Sequence, residues 1–168
     1  MTAAVETEKK SNSKDVVIVR EFSAPRDLVW AAWTETEHIE KWFGPKGFTT
    51  RVISNDWHVG GTNEYVMVGP DGTEYPGKGV IIEIDPKNKI VSTDEFGEDF
   101  IESNPGMDLP TGMTTTAVFD DLGDRCRLTL TISHPTVEDR IKHEKIGVVD
   151  GWGSSFDKLD EYLAQIRN

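Results

Sequence analysis

Toward the end of the chain, Ile146, Val149, Trp152, Phe156, Leu159, Leu163 and Ile166 recur at alternating steps of three and four. That spacing predicts one amphipathic helix over residues 141–166, with Asp150, Asp157, Lys158, Asp160, Glu161 and Arg167 falling mostly off the apolar stripe. At ~1.5 Å per residue, such a helix is about as long as a small domain is wide. It cannot bury its stripe alone, so the rest of the chain has to be the surface it covers. Gly147 and Gly151 stand one turn apart within it. Each costs about 1 kcal/mol relative to alanine in a helix interior. A close approach by a neighbouring backbone, or a space kept beside the helix for a ligand, accounts for glycine at such positions.

Upstream the period changes from that of a helix to that of a strand. Val16, Ile18, Arg20 and Phe22 alternate with Asp15, Val17, Val19 and Glu21, which predicts a strand with an apolar side. Ser23 is an N-cap candidate and Pro25 suits a first turn, opening a short helix to about Trp33 with Leu28, Val29, Ala32 and Trp33 toward the sheet. Thr34 or Thr36 caps a second short helix ending at Trp42-Phe43, where Gly44-Pro45 stops it. Strands follow at Thr49–Asn55, Thr62–Val68, 79–84, Lys89–Phe96, 113–119 and 125–133, punctuated by Gly60-Gly61, Gly69-Pro70-Asp71-Gly72, Asp85-Pro86-Lys87-Asn88 and the 120–124 turn. Residues 98–112 read as one long irregular loop. The order is an α+β one: a strand, two short helices, about six antiparallel strands, then a long helix, the one element left to cover the sheet. A sheet of six or seven strands curling around that helix leaves a cavity between them. Residues 1–13 are small, polar and charged and read as a disordered tail, with 14–168 as a single domain.

Charge and cysteine narrow the partners. A formal net charge of −12 disfavours nucleic acid and anionic membrane surfaces, both of which repel it. No apolar run reaches the ~20 residues of a membrane-spanning helix, and no secretory signal pattern opens the chain. The single cysteine, Cys126, forms no intrachain disulfide, so the expected compartment is the cytoplasm. Alternation with Arg125 and Arg127 turns Cys126 inward, as a small hydrophobe.

Trp42-Phe43-Gly44-Pro45, Gly60-Gly61, Asp71-Gly72-Thr73-Glu74-Tyr75, the 79–86 run Gly-Val-Ile-Ile-Glu-Ile-Asp-Pro, Arg127-Leu128-Thr129-Leu130 and Gly151-Trp152 with Leu159 and Leu163 come in an order that resembles the activator of Hsp90 ATPase homologue 1-like family. That family belongs to the START-like (SRPBCC, Bet v 1-like) superfamily. The resemblance implies a helix-grip fold around a hydrophobic cavity. It implies three kinds of role: binding of a small molecule, cyclase or hydrolase chemistry in the same cavity, or contact with a chaperone, in some members within a stress response. Chaperone-activating members carry a further N-terminal domain where this chain has its short tail.

Within that frame Trp42, Phe43, Trp57, Tyr65, Phe96, Met113, Trp152 and Phe156 are the expected ligand-binding set, with Gly147 and Gly151 as helix glycines beside the cavity. Asn63 shares a strand face with Tyr65 and Met67, so an inward Tyr65 brings an amide in with it. The family often has an aromatic or apolar residue at the position of Asn63. The acidic group Asp94, Glu95, Glu98, Asp99 and Glu102 reads as a solvated rim, or as one carboxylate turned to a ligand. His38, His58, His134 and His143 show no metal-binding spacing, so neither a metal nor a cofactor is expected. No nucleophile elbow or phosphate-binding loop is present, and no catalytic residue is assigned. The expected partner is a small hydrophobic molecule, aromatic or lipid-like, held without turnover.

Overall fold

The computed structural model describes residues 6–8, 13–96, 106 and 109–167. One antiparallel sheet carries the fold, with β1 (Glu6–Glu8), β2 (Asp15–Phe22), β3 (Thr49–Asn55), β4 (Thr62–Val68), β5 (Glu74–Asp85), β6 (Lys89–Phe96), β7 (Met113–Asp121) and β8 (Cys126–Ser133) in the spatial order β1-β2-β8-β7-β6-β5-β4-β3. Two short helices, α1 (Arg26–Thr34) and α2 (Thr36–Trp42), stand between β2 and β3. Two more, α3 (Val137–Lys145) and α4 (Val148–Ile166), follow β8. This is the helix-grip arrangement, with seven substantial strands and the short β1 at one edge. Glu6–Glu8 lies inside the stretch read as a disordered tail. It pairs antiparallel with Val17–Val19 and covers the edge that β2 would otherwise leave open.

Cross-strand register carries one face through the whole sheet. Ile18 pairs with Leu130, Leu130 with Ala117, and Ala117 with Ile90. All four are at most 3 % exposed, so their side is the inner one. The same alternation puts Thr115, Ser92 and Asp94 on that side, since Ile132 pairs with Thr115 and Thr115 with Ser92. Register shifts at Val52/Ser54 in β3 and Ile81/Glu83 in β5 insert an extra residue and increase the local twist, which bends the sheet.

α4 lies in that bend. Its buried residues are Val148, Ser155, Phe156, Leu159 and Leu163. Removing each large apolar side chain from water contributes about 1.5–3 kcal/mol. Arg20, 6 % exposed on the inner side of β2, fastens the helix, with Nη2 donating to Asp157 Oδ1 and Asp160 Oδ2, both at 2.7 Å.

The single helix read over 141–166 is two. α3 ends at Lys145, and Gly147, at φ +91°, takes the left-handed conformation before α4 begins. Ile146 is consequently 46 % exposed, and Val148 replaces it in the buried stripe. The caps also differ from expectation. Pro25 and Glu35 are the N-caps of α1 and α2 without a side-chain bond, while Thr34 Oγ1 donates back to the Trp30 carbonyl. β5 begins at Glu74, earlier than read, because Pro76, Gly77 and Gly79 all pair with β4 despite their poor strand propensity. Most of the 98–112 loop lies outside the described residues.

Candidate functional site

Two lobes of open space lie between the concave face of the sheet and the helices. The larger, about 240 Å³, sits against the start of α4 and is bounded by Met67, Gly77, Met113, His143, Gly147 and Gly151 among others. The smaller, about 120 Å³, is bounded by Trp33, Trp42, Trp57, Asn63, Ser92 and Thr115 among others. Phe43, Tyr65, Asp94 and Trp152 border both lobes.

The apolar wall is made by rings packed edge to face and, at one pair, stacked. Phe43 stands edge-on to Tyr65 at 4.9 Å and to Trp152 at 5.6 Å. Trp33 stacks on Trp152, with centroids 5.8 Å apart and planes 10° from parallel. Trp42 and Trp57 spend their indole N–H groups on the backbone: Trp42 Nε1 donates to the Ala32 carbonyl at 2.9 Å and Trp57 Nε1 to the Thr34 carbonyl at 2.6 Å. These two rings therefore present only apolar surface. Gly77 makes room for Tyr65, since a Cβ there would stand 2.5 Å from the ring's Cζ and Oη. The loop between α2 and β3 that carries Phe43 is tied down by Lys158 of α4. Its Nζ donates to the carbonyls of Gly44 (3.1 Å), Pro45 (3.4 Å) and Phe48 (3.1 Å), and burial holds its pKa below the usual lysine range.

Polar groups on the sheet side are few. Asp94 is not part of a solvated rim. It lies on the inner face, where burial pushes its carboxyl up to about 6, opposed by the Thr115 hydroxyl 3.4 Å away and assisted by the charge of Glu95. The Tyr65 hydroxyl has no hydrogen-bond partner among the described residues. Its pKa is raised by burial and by the Asp94 charge. Asn63 Oδ1 is buried with no partner. A carboxyl, a phenol and an amide thus face space that is mostly apolar but is also bordered by Ser92, Thr115 and His143, and they are able to orient a ligand or to exchange a proton with one.

Of the residues read from the sequence, Phe43, Tyr65, Met113, Trp152, Gly147 and Gly151 border the larger lobe, and Trp42, Trp57 and Asn63 the smaller. Phe156 borders neither. It is fully buried, edge-on to Phe22 and beside Trp42 and Trp152, because its place on α4 points into the core. The Phe96 side chain and residues Glu98, Asp99 and Glu102 lie outside the described residues. Gly147 is a junction between helices, not a helix-interior glycine. At Gly151 an added Cβ would meet only Pro45 Cγ, at 4.0 Å, so the space reading fits and the close-approach reading does not.

Two features were missed. Trp33 reads from the sequence only as a sheet-facing residue of α1, yet it borders the smaller lobe. The histidines do assemble: His134 Nε2 and His143 Nδ1 are 3.0 Å apart. Cys126 is fully buried, and burial pushes its thiol up to about 12, leaving an inert hydrophobe. Among the described residues no group of three or more His, Cys, Asp or Glu is placed to hold a metal ion, and no helix is long and apolar enough to cross a membrane.

The sequence model of the activator of Hsp90 ATPase homolog 1-like protein family matches residues 23–164. A search of curated proteins returns no match. Among solved structures, Ms6760 from Mycobacterium smegmatis is 28% identical, with 95% of this chain and 97% of that one covered and a TM-score of 0.82. NE0264 from Nitrosomonas europaea is also 28% identical, covering 95% and 99% with a TM-score of 0.75. CalU16 from Micromonospora echinospora shares the fold at 19% identity, covering 95% and 86% with a TM-score of 0.62.

Proposed function

Since the chain belongs to the activator of Hsp90 ATPase homolog 1-like family, whose fold commonly binds hydrophobic ligands, we propose that it is a binding protein for a small, largely apolar molecule, aromatic or lipid-like, held between the sheet and α4. The observation that carries this is the pair of lobes with a shared border of Phe43, Tyr65 and Trp152 and only a few polar groups. That is the composition of ligand cavities generally, at the small end of their size range. Native mass spectrometry of protein purified from its own cell tests it. The expected result is a retained small molecule that Gly151→Leu, with the fold intact by circular dichroism, no longer holds. An equal load on both proteins would refute the assignment of this cavity.

One observation favours a second reading. Asp94, raised to about 6, stands beside an unpartnered phenol in the same space. A carboxyl poised near neutrality is what proton transfer requires, so a cyclase- or hydrolase-type reaction on the bound molecule is the alternative. The readout is the mass of the retained molecule. Release of an altered species by the wild type but not by Asp94→Asn would favour catalysis over storage. A chaperone contact would use another surface, and the exposed large apolar residues among those described include Ile53, Val59 and Ile82.

A further inference from the structure

The histidine pair determines what the larger lobe can recognise. His134 follows β8 and His143 sits on α3, and the two are 5 % and 7 % exposed. His134 Nδ1 lies 2.7 Å from the Lys14 carbonyl, which can only accept, so the proton is on Nδ1. In the neutral pair His134 Nε2 is then a lone pair. The 3.0 Å bond to His143 therefore needs the His143 proton on Nδ1. His143 Nε2 is left as a bare acceptor. It has no partner among the described residues, and His143 lines the larger lobe. Burial further favours the neutral ring.

We propose that His143 Nε2 accepts a hydrogen bond from a hydroxyl of the bound molecule, which narrows the ligand class to apolar, ring-bearing alcohols or phenols. This rests on the cavity being the ligand site. The chain Lys14 carbonyl, His134, His143 fixes the tautomer from outside the cavity, so His134 is a positioning residue. An acceptor-only group such as a ketone or ether would meet the Nε2 lone pair head-on, with no proton between them. A ligand without any polar group would leave Nε2 unpaired when it displaced water. Both cases cost affinity relative to a hydroxyl donor.

The experiment uses the full chain, uniformly labelled with nitrogen-15, and two probes of similar shape, 2-naphthol and 2-methylnaphthalene. Long-range nitrogen–proton spectra are expected to show His143 protonated at Nδ1, with the Nε2 resonance moving on addition of 2-naphthol and staying put with 2-methylnaphthalene. His134→Leu should release the tautomer, seen as averaging of the two His143 nitrogen shifts. By titration, the preference for 2-naphthol over 2-methylnaphthalene should fall about tenfold in His143→Leu, the worth of one good hydrogen bond. If that variant does not fold, the wild-type spectra with the two probes decide alone. An unmoved Nε2 with both probes bound, or protonation of His143 at Nε2, overturns the inference and leaves the cavity reading standing. Binding of neither probe overturns both.

Discussion

At the residue scale, the two helix glycines make opposite predictions although the sequence presents them alike. Gly147 has φ +91°, where any residue with a Cβ is strained, while Gly151 has helical backbone and open space. Gly147→Ala should therefore destabilise by about 1–2 kcal/mol, and Gly151→Ala should be neutral or stabilise by up to about 1 kcal/mol. Urea unfolding of the two variants checks this; equal effects would contradict the assignment of Gly147 as a junction. The sequence held a usable signal for that junction. Lys142, His143 and Lys145 followed by glycine is the ordinary end of a helix, but the continued three-four periodicity of apolar residues masked it. Asp94 was legible in the same limited sense. Ile90, Ser92 and Asp94 alternate on one side of β6, but which side faces inward depends on pairing with β7 and β8, which no local pattern contains. The histidine pair was not legible, because its contact is made by the turn of the chain between β8 and α3.

At the element scale, strands were read well where glycine, proline and asparagine bracket an alternating run, as at Thr49–Asn55 and Thr62–Val68. β5 reads short at its start because Pro76 and Gly77 look like breakers, and the next glycine, Gly79, like a strand end. In the folded chain the two glycines are sites of close approach, to the Tyr65 ring and to the Thr93 carbonyl. The pattern likewise found α4 as an element to be gripped, but not the ties that set its position. Arg20 reads as an interruption of an apolar strand face and Lys158 as a solvated helix residue. Lys158 instead gathers three carbonyls of the loop that carries Phe43 to the cavity. Lys158→Met keeps the aliphatic stem and deletes those bonds, each worth about 1 kcal/mol at most when partly exposed. The expected result is a loss of about 1–2 kcal/mol in global stability, with faster hydrogen exchange at the Phe48 amide, which bonds to the Pro45 carbonyl inside the loop. Unchanged exchange at Phe48 would mean that the loop is held by Thr50, whose hydroxyl reaches the Phe43 carbonyl at 2.6 Å, and not by α4.

For the whole molecule, the cavity carries a cost that appears as pH dependence. Asp94 is raised to about 6 from an ordinary 3.8, so the folded state holds its proton more tightly than the unfolded chain. Its contribution is fully present below the ordinary value and is lost as pH rises through about 6. His143 is lowered from 6.5 to about 4, chiefly by burial and secondarily by His134, so its contribution is present above 6.5 and is lost as pH falls toward 4. Each amounts to about 3 kcal/mol at full extent. The two windows overlap between roughly pH 4 and 6 and have opposite slopes there, so in the wild type they largely cancel. Removing one exposes the other. Asp94→Asn should be more stable than the wild type by about 1–3 kcal/mol at pH 7.5, an advantage that shrinks to nothing near pH 4. The variant's own stability should then fall more steeply on acidification through this window, with His143 unopposed. Urea unfolding at several pH values, followed by tryptophan fluorescence, measures both curves. A difference between the two proteins that does not change with pH would show that the Asp94 carboxyl is solvated after all. It would then be no more than a surface acid beside the lobes, and the proton-transfer reading of the cavity would go with it.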